Sequence, residues 1–342
     1  LLVLSSCSCH TGKQITASGL QRKDFQTEVN GQHTDLFTLS NKQGMEVCIT
    51  NYGARVVSIL VPDRNGKRED VVCGFSTITE YMEQRQNFGS TVGRYIGRIL
   101  NARFTLDGVE YKLVPNNGKS GHISHGGNPG FADRIWKVEQ ADTHRVRLSY
   151  LSPDGENGFP GNLKVTLVYS LGEDDNALDL TYEATTDAPT VLNLSHHSFF
   201  NISGNFTKSV EDQQLWVDAD RFTPYDDKKC VTGEYLPVAG TPLDFRMPHT
   251  IGECIDADHP QLKVVNGYDH TWELNTKGDD TRPAAWVYDP ASGRKMEIFT
   301  TEPGMQIYTG NGLKGKMTGK GGIAYPFLSL IHIPSPRDST SS

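Results

Sequence analysis

From residue 34 onward, apolar residues recur at every second position rather than at helical spacing. DLFTLS, MEVCITNY and ARVVSILVP follow this pattern, and the turn sequences NKQG and DRNGK separate them. The clearest hairpin is LKVTLVYSL–GEDDN–ALDLTYEATT, and the alternation returns in RVRLSYLS, QLWVDA, TWELN, AAWVYDP, KMEIFTTE and MQIYTG. Because successive side chains of a strand point to opposite faces, these segments predict strands. The one segment with a helical pattern is STITEYMEQ, residues 76–84.

Many short strands joined by turns bury their apolar faces by packing one sheet on another. The 34 glycines and 17 prolines agree with a large number of turns. No internal repeat and no linker divides the body. We therefore predict an all-β fold, a single large antiparallel β-sandwich with few short helices, over residues 25–326.

The charge and hydropathy of the chain exclude two kinds of partner. The net charge is −8 and no cluster of Lys and Arg stands out, whereas nucleic-acid binding requires a basic surface. No apolar run approaches the roughly 20 residues of a membrane-spanning helix. We expect no nucleic-acid partner and no membrane-spanning segment.

The N-terminus departs from the strand pattern. The chain starts LLVLSSCSCH, and an apolar run that ends in Leu-Ser-Ser-Cys resembles the end of a bacterial lipoprotein signal peptide, with Cys7 as the lipidated residue. On this interpretation residues 1–24 are a signal-peptide remnant and a tether. The protein would then be exported, either periplasmic or held by a lipid anchor, and a cytoplasmic location is the alternative.

Four polar stretches do not resemble ordinary turns: GRYIGRI (93–99), GHISHGG (121–127), NLSHHSFFN (193–201) and NGYDHTWEL (266–274). Arg, His and Asp side chains supply donors and acceptors for a polyhydroxylated ligand, and aromatic rings supply flat apolar surface. Since neighbours in a strand point to opposite faces, only one of His196 and His197 can face such a groove. The residues alone predict a β-sandwich with a polar, histidine-rich groove for a sugar.

Each stretch also has a structural interpretation. Taken singly, Arg94 and Arg98 are typical of surface arginines in ion pairs, and Asp269 is typical of a turn cap. No carboxylate or cysteine completes a ligand spacing around His122, His125 or the tandem histidines, so we predict no metal site in the groove. The acidic segments VDADRF and PYDD are the candidates for a structural Ca²⁺.

The cysteines beyond the N-terminus do not form a recognisable metal or redox motif. No two of them have C-x-x-C spacing, which argues against a zinc site. We predict that they are small buried residues rather than a disulfide framework. They are Cys48, Cys73, Cys230 and Cys254.

Over residues 25–326 the chain resembles the galactose mutarotase (aldose 1-epimerase) family. The segments that carry the resemblance occur in the family's order and approximate spacing. They are GRYIGRI, FTLDGVEYKL, NNGKSGHISHGG, GFADRIW, SPDGENGFPGNL, VLNLSHHSFFNISG, NGYDHTWEL and TTEPGMQIYTGN. The resemblance implies the family's fold, a large β-supersandwich.

The family's activity is the interconversion of the α and β anomers of free hexoses such as galactose and glucose. A carboxylate base removes the proton of the C1 hydroxyl while a histidine acid protonates the ring oxygen. The ring opens, the C1–C2 bond rotates, and closure from the other face gives the opposite anomer. Concerted acid–base catalysis avoids building up an alkoxide or an oxocarbenium ion. The resemblance thus implies an isomerase of carbohydrate metabolism that acts on a small aldose, needs no cofactor and works as a monomer.

The resemblance also assigns roles to particular residues. His197 matches the acid histidine, so it is the expected proton donor and faces the groove, while His196 replaces a frequent Asn and supports it from behind. His125, in the HGG element, matches the second active-site histidine, which holds the sugar near its ring oxygen. The expected substrate-binding residues are Gly97 (commonly Asn in the family), Arg98, Phe199, Asp269 and Gln306.

The family's catalytic Glu has no counterpart in this chain. It belongs to a strand that follows the Tyr-Pro pair, whereas here Pro334 stands at about that position and Asp338 is the only acidic residue beyond it. A proline cannot donate to a sheet ladder. LSLIHIPSPRD resembles the translation of a sequencing-library adapter. We therefore expect residues 327–342 to be foreign and the β-sandwich domain to be truncated at its C-terminus. The chain as given should then convert anomers slowly or not at all.

Other interpretations remain open at this point. Asp338 is one candidate for the base, and a natural pseudoenzyme that retains only the groove is another explanation of the missing Glu. An epimerase of hexose 6-phosphates shares the fold and would need further Arg or Lys residues for the phosphate. A non-catalytic carbohydrate-binding protein is the alternative outside the enzymes.

Overall fold

The computed structural model describes residues 14–313 and 317–326, together with the backbone of residues 331–332. Cys7, Pro334 and Asp338 lie outside the described residues. So does nearly all of the predicted foreign tail, residues 327–342.

Two four-stranded antiparallel sheets form a first sandwich. One sheet contains, in order, Leu36–Ser40, Glu46–Thr50, Arg55–Pro62 and Arg68–Asp70; the other contains Lys137–Ala141, Arg145–Ser152, Leu163–Leu171 and Leu178–Thr186. Apolar residues from both sheets share one fully buried core, which includes Val47, Ile49, Val56, Leu148, Val165 and Leu167.

A second sandwich follows in the C-terminal half. Its six-stranded sheet contains, in order, Phe199–Phe200, Ile331–His332, Gly304–Tyr308, Asp269–Glu273, Arg221–Thr223 and Leu236–Pro237. Its four-stranded sheet contains His249–Thr250, Gln214–Val217, Ala285–Tyr288 and Lys295–Ile298. The core between them includes Phe222, Trp272, Met305, Ile307, Leu215 and Val287.

Shorter elements complete the described chain. The two-stranded sheets are Glu28–Val29 with Gln32–His33, Ser90–Val92 with Ser195–His197, Arg98–Ile99 with Ile123–Ser124, and Arg103–Leu106 with Val109–Lys112. The α-helices are Ile78–Gln84, Gly252–Ile255 and Pro260–Val265. The 3₁₀ turns are Arg22–Phe25, Leu100–Ala102, Gly118–Ser120, Phe131–Asp133, Glu156–Gly158 and Lys320–Gly322.

The prediction of an antiparallel all-β fold with few short helices is confirmed. The helix predicted in residues 76–84 is present, and Thr77 caps it by accepting a hydrogen bond from the Glu80 N–H. Two short helices in residues 252–265 were not predicted, because four to six residues are too few to display a helical period. In the described part of the chain no helix is both long and apolar enough to cross a membrane.

Residues 14–24, the described part of the predicted tether, pack against the body. Leu20 is buried, and the Ala17 and Ser18 N–H groups donate to Glu46 Oε1 at 2.7 and 3.3 Å. A polar segment is held here because a buried strand carboxylate offers its backbone an acceptor. The folded body therefore begins ahead of residue 25.

Arg94 is buried, so the prediction of a surface ion pair is wrong for this residue. Its guanidinium donates to the carbonyl oxygens of Ser152, Pro153, Pro160 and Gly161 at 2.7–3.1 Å. These bonds tie the GRYIGRI segment to the loop between two strands of the first sandwich. Arg94 is a structural residue that fixes this loop.

The cysteines behave as predicted within the described residues. Cys48, Cys73 and Cys230 are buried, Cys254 is half-buried, and all four are free thiols. Burial raises the pKa of Cys48 to about 12, which makes it an unreactive core residue.

Gly126 is needed where two of the sequence motifs meet. Its φ is +80°, and a Cβ at this position would lie 1.9 Å from the carbonyl oxygen of Gly93 and 2.5 Å from the backbone nitrogen of Arg94. The HGG turn can therefore lie directly on the GRYIGRI backbone only because this residue has no side chain. Gly126 thus fixes the position of the preceding residue, His125.

We predict that Gly126→Ala is far more destabilising than Gly108→Ala, measured by chemical denaturation. Gly108 has a similar φ of +77° but open space around its Cα, so it reports only the backbone strain, about 1 kcal/mol. Gly126→Ala adds a steric clash with the backbone and should lower the free energy of unfolding by at least about 2 kcal/mol more. Equal losses for the two variants would contradict the close approach.

Candidate active site

The NLSHHSFFN segment lies where the two sandwiches meet. Ser195–His197 pairs with Ser90–Val92, placing His197 opposite Ser90, and the Gly89 N–H donates to the His197 carbonyl at 2.9 Å. The segment then crosses to the second sandwich, where Phe199–Phe200 is the edge strand of the six-stranded sheet. This segment therefore runs from one core to the other, and the tandem histidines lie between the two cores.

The His197 ring is almost fully buried and contacts aromatic rings on two sides. Its centroid lies 5.4 Å from that of His125, with the planes nearly perpendicular at 88°, and 5.1 Å from that of Phe199. His197 thus contacts one predicted site residue from the HGG motif and one from its own motif. These three residues form the centre of the candidate site.

The His196 ring has different neighbours. The Tyr169 hydroxyl donates to the Ala54 carbonyl at 2.7 Å, so its oxygen accepts from His196 Nδ1, at 3.4 Å. His196 Nε2 then accepts from the Ser198 hydroxyl at 2.6 Å. This arrangement satisfies a neutral ring on both nitrogens, on the side of the strand away from His125.

His125 is held by Gly97 through two reciprocal hydrogen bonds. The His125 N–H donates to the Gly97 carbonyl at 2.8 Å, and the Gly97 N–H donates to His125 Nδ1 at 3.2 Å. Because Nδ1 accepts, the neutral ring carries its hydrogen on Nε2 and can donate from there. The only hydrogen-bond donor of Gly97, its N–H, is bonded to His125. Gly97 can therefore bind a sugar only through its carbonyl oxygen.

Arg98 is half-buried in the strand Arg98–Ile99, directly after Gly97. One guanidinium nitrogen, Nη1, donates to the Lys229 carbonyl at 2.8 Å. A guanidinium has five N–H donors in a planar fork, so this bond orients the group and leaves capacity for ligand oxygens. The bond also links the first sandwich to a loop of the second.

Asp269 and Gln306 meet on neighbouring strands of the six-stranded sheet. Asp269–Glu273 pairs with Gly304–Tyr308 so that Thr271 is opposite Gln306 and Asp269 is opposite Tyr308. The buried Gln306 amide donates to the Asp269 carboxylate. Two motifs 37 residues apart thus form one hydrogen-bonded pair.

Tyr308 connects this pair with the histidines, and sequence reasoning did not include it. Its ring centroid is 5.9 Å from that of Phe199, which in turn contacts His197. The signal was present in the strand pattern, because Tyr308 is two residues after Gln306 and shares its face. Phe88, 5.1 Å from Phe199, was likewise missed because it lies in no recognised motif.

In VDADRF, one of the two segments proposed for Ca²⁺, both carboxylates have other partners. Asp218 accepts from Arg282 and Asn275, and Asp220 accepts from Arg246. Over residues 14–313 and 317–326, no group of three or more His, Cys, Asp or Glu side chains has the geometry to hold a metal ion. The structural Ca²⁺ stays a prediction from sequence.

Burial sets the ionisation of the histidines. The pKa of His197 is lowered to about 3, mainly by burial and to a lesser extent by the positive charge of Arg55. Burial also lowers the pKa of His270, which lies behind Asp269 against Phe222 and Tyr225, to about 3. Burial lowers the pKa of His196 as well. At neutral pH these rings are uncharged.

We predict acid destabilisation that begins near pH 6.5. The folded pKa values of His197 and His270 lie below the unfolded value, so the unfolded chain binds more protons between about pH 6.5 and 3. The two neutral rings therefore contribute fully to the free energy of unfolding above about pH 6.5. As the pH falls through this range, the free energy of unfolding decreases by about 1.4 kcal/mol per pH unit for each histidine. The measurement is the free energy of unfolding as a function of pH.

The His270→Gln variant provides the specific test of this prediction. The slope of the free energy of unfolding against pH reports how many protons the chain takes up on unfolding. His270→Gln should lower that number by one, whether or not it also changes the stability at neutral pH. Asn65→Gln, which exchanges an exposed residue that does not titrate, is the control and should leave the slope unchanged. A slope that His270→Gln does not alter would contradict the assignment.

Comparison with known proteins identifies the family. The aldose 1-epimerase family model matches residues 35–331. Galactose mutarotase of Sus scrofa is 39% identical over 290 residues, covering 85% of this chain and 81% of that protein. Aldose 1-epimerase of Escherichia coli K12 is 36% identical over 286 residues, covering 84% and 81%. The chain belongs to the aldose 1-epimerase family.

Solved structures agree with the assignment. The structure of an aldose epimerase homologue from Caenorhabditis elegans has a TM-score of 0.80 at 30% identity, covering 88% of this chain and 89% of that one. Galactose 1-epimerase of Lactobacillus acidophilus has a TM-score of 0.79 at 29% identity, covering 91% and 89%. The predicted family, its supersandwich fold and its isomerase activity are thereby confirmed.

Proposed function

We propose that this aldose 1-epimerase interconverts the anomers of free hexoses such as galactose and glucose, with His197 as the proton donor. The observation that carries the proposal is the position of the His197 ring, which contacts His125 and Phe199. Phe199 is joined through Tyr308 to the Asp269–Gln306 pair. A buried acid, a second imidazole donor, an aromatic surface and a carboxylate acceptor are what recognition and opening of a pyranose require.

The chemistry follows from the proton balance of ring opening. The base takes the C1 hydroxyl proton, the C1–O5 bond breaks, and O5 takes the bonding electrons and the proton of His197. Rotation about C1–C2 and the reverse transfers close the ring on the other face. His197 therefore returns to its starting state in each turnover and needs no cofactor.

The low pKa of His197 fits a residue that must both give and take a proton. The imidazolium of a ring with a pKa of about 3 is a strong acid, which favours transfer to the weakly basic ring oxygen. Because the ring is neutral in the unliganded protein, His197 must take up a proton as the sugar binds; it gives this proton to O5 as the ring opens and takes it back from the O5 hydroxyl as the ring closes. The neighbouring His125, with its hydrogen on Nε2, would donate to the same region of the sugar.

The other groups would bind and orient the sugar. Asp269 is a hydroxyl acceptor, and the hydrogen bond from the Gln306 amide restricts the orientation of its carboxylate. The Arg98 fork can bridge two sugar oxygens, and Phe199 offers an apolar surface to the ring's C–H face. Gly97 acts through its carbonyl and by holding His125.

The general base and the setting of the protein are parts of the proposal that rest on sequence alone. The resemblance supports a Glu from the strand that follows Tyr325-Pro326 in the family. The apolar run ending at Cys7 supports export with a lipid anchor, against a cytoplasmic location. The family resemblance supports a monomer without cofactor.

Polarimetry of freshly dissolved α-D-galactose tests the activity. The assay uses the 342-residue chain and the chain continued past Tyr325-Pro326 by the codons of the intact gene. We expect the continued chain to accelerate mutarotation strongly, and His197→Gln in that background to be about 10²–10⁴-fold slower. His33→Gln is the matched control and should keep the full rate.

Each result has a clear meaning for the proposal. A continued chain no faster than buffer would refute the epimerase assignment, and full activity of His197→Gln would refute the proton donor. A 342-residue chain as fast as the continued one would show that the base is not missing. Faster conversion of glucose 6-phosphate than of glucose would favour the phosphorylated substrate.

A further inference from the structure

Arg55 is a buried guanidinium behind the strand that carries His197, and no sequence motif drew attention to it. Its side chain is about 1% exposed. Its donors reach the carbonyl oxygens of Gln86, Phe88 and Ala132 at 2.7–2.9 Å, with a weaker contact to Tyr52 at 3.4 Å. Among the described residues it has no ion pair with a carboxylate.

The Phe88–Gly89 peptide group connects Arg55 directly with His197. The Phe88 carbonyl accepts from Arg55 Nη1 at 2.8 Å, and the N–H of the same peptide, that of Gly89, donates to the His197 carbonyl at 2.9 Å. A cation on the carbonyl polarises the peptide and makes its N–H a stronger donor. One peptide therefore transmits the guanidinium contact to the backbone of the proton donor.

This peptide cannot easily shift. Gly89 has a φ of +66°, and a Cβ on it would lie 1.8 Å from the Val56 carbonyl oxygen. The Phe88 ring packs edge-on against Phe199, 5.1 Å away, and Phe199 lies 5.1 Å from the His197 ring. Arg55 thus supports His197 along two routes, through the backbone and through packed aromatic rings.

In the described part of the chain no carboxylate lies within ion-pair distance of the Arg55 guanidinium, and Asp133 acts on it only electrostatically. Burial lowers the pKa of Arg55, but a guanidinium remains charged in proteins. A buried charge without a counterion is costly, so carbonyl binding alone does not explain why a cation is used here. The charge lies close enough to lower the pKa of both His196 and His197.

The other titratable and charged groups around Arg55 and His197 do not offset this effect on His197. Tyr52 and Tyr81 lie under the guanidinium, 5.6 and 4.6 Å from their ring centroids. Asp133 and Tyr169 act on Arg55 at longer range. On the His197 side the facing groups are His196, on its own strand, and His125, in the HGG turn.

We propose that Arg55 is a positioning residue for His197: through the Phe88–Gly89 peptide it fixes the strand that carries the imidazole, and it places a permanent positive charge behind that strand. The proposal rests on the proposed role of His197 as proton donor. The charge makes the His197 imidazolium a stronger acid, so its proton passes to O5 as the sugar ring opens, and the neutral imidazole takes the proton back from the O5 hydroxyl as the ring closes.

Arg55→Met and Arg55→Lys separate the two parts of this role. Methionine removes the charge and the donors, whereas lysine keeps the charge but cannot reach all the carbonyls. We expect the protonated fraction of His197, followed by ¹⁵N chemical shifts of the imidazole at about pH 5, to rise about tenfold in Arg55→Met and to stay at the wild-type level in Arg55→Lys. In the continued chain, kcat should fall about tenfold or more in both, with KM changed less than twofold.

Arg94→Met is the matched control, since it removes another buried guanidinium bound to carbonyls but has no bond to the His197 strand. It should destabilise the fold without moving the His197 titration. If Arg55→Met does not fold, the kcat of Arg55→Lys decides, and a wild-type kcat overturns the proposal. A His197 titration that moves equally in Arg55→Met and Arg94→Met also overturns it.

The NMR readout needs no catalysis, so it separates this inference from the proposed function. An unshifted His197 in a folded Arg55→Met overturns the role of the charge even if the enzyme is active. Conversely, full activity of His197→Gln refutes the proton donor while the shift of the His197 titration still reports on Arg55.

Discussion

The pairing of Ser195–His197 with Ser90–Val92 is the constraint on which the rest of the site depends. An extended strand sends adjacent side chains to opposite faces, so the two histidines cannot share one environment. One ring meets His125 and Phe199, and the other meets Tyr169 and Ser198. Loss of register by one residue would exchange them and place the wrong ring in the site.

Around this strand the two sandwiches contribute different chemistry. The segment that connects the two sheets of the first sandwich supplies His125, Gly97 and Arg98, which are positioned by close backbone packing. The second sandwich supplies the Asp269–Gln306 pair from the regular ladder of its six-stranded sheet. Rigid cores on both sides hold these groups, which is how a site assembled from distant segments keeps the geometry that acid–base catalysis needs.

Much of the fold could be predicted because strand alternation is a local property. Arg145–Ser152 and Leu163–Leu171 begin and end where the apolar pattern does. The helices Gly252–Ile255 and Pro260–Val265 could not be predicted because they are too short to show a helical period. The packing of residues 14–24 could not be predicted because it depends on a carboxylate distant in the sequence, that of Glu46.

The site divides in the same way. His125, His197 and Asp269 could be named because family motifs surround them, although their mutual distances could not be known. Arg94 was misjudged and Arg55 overlooked, because an arginine in a sequence gives no sign of whether carbonyl oxygens from separate loops will surround it. Tyr308 was missed although its spacing from Gln306 was visible.

The most direct test of the account is a crystal structure of the continued chain soaked with D-galactose. The account predicts one pyranose with its ring oxygen within hydrogen-bonding distance of the His197 ring, a hydroxyl on Asp269 and a C–H face toward Phe199. A sugar bound elsewhere, with His197 still enclosed and touching no ligand atom, would contradict it.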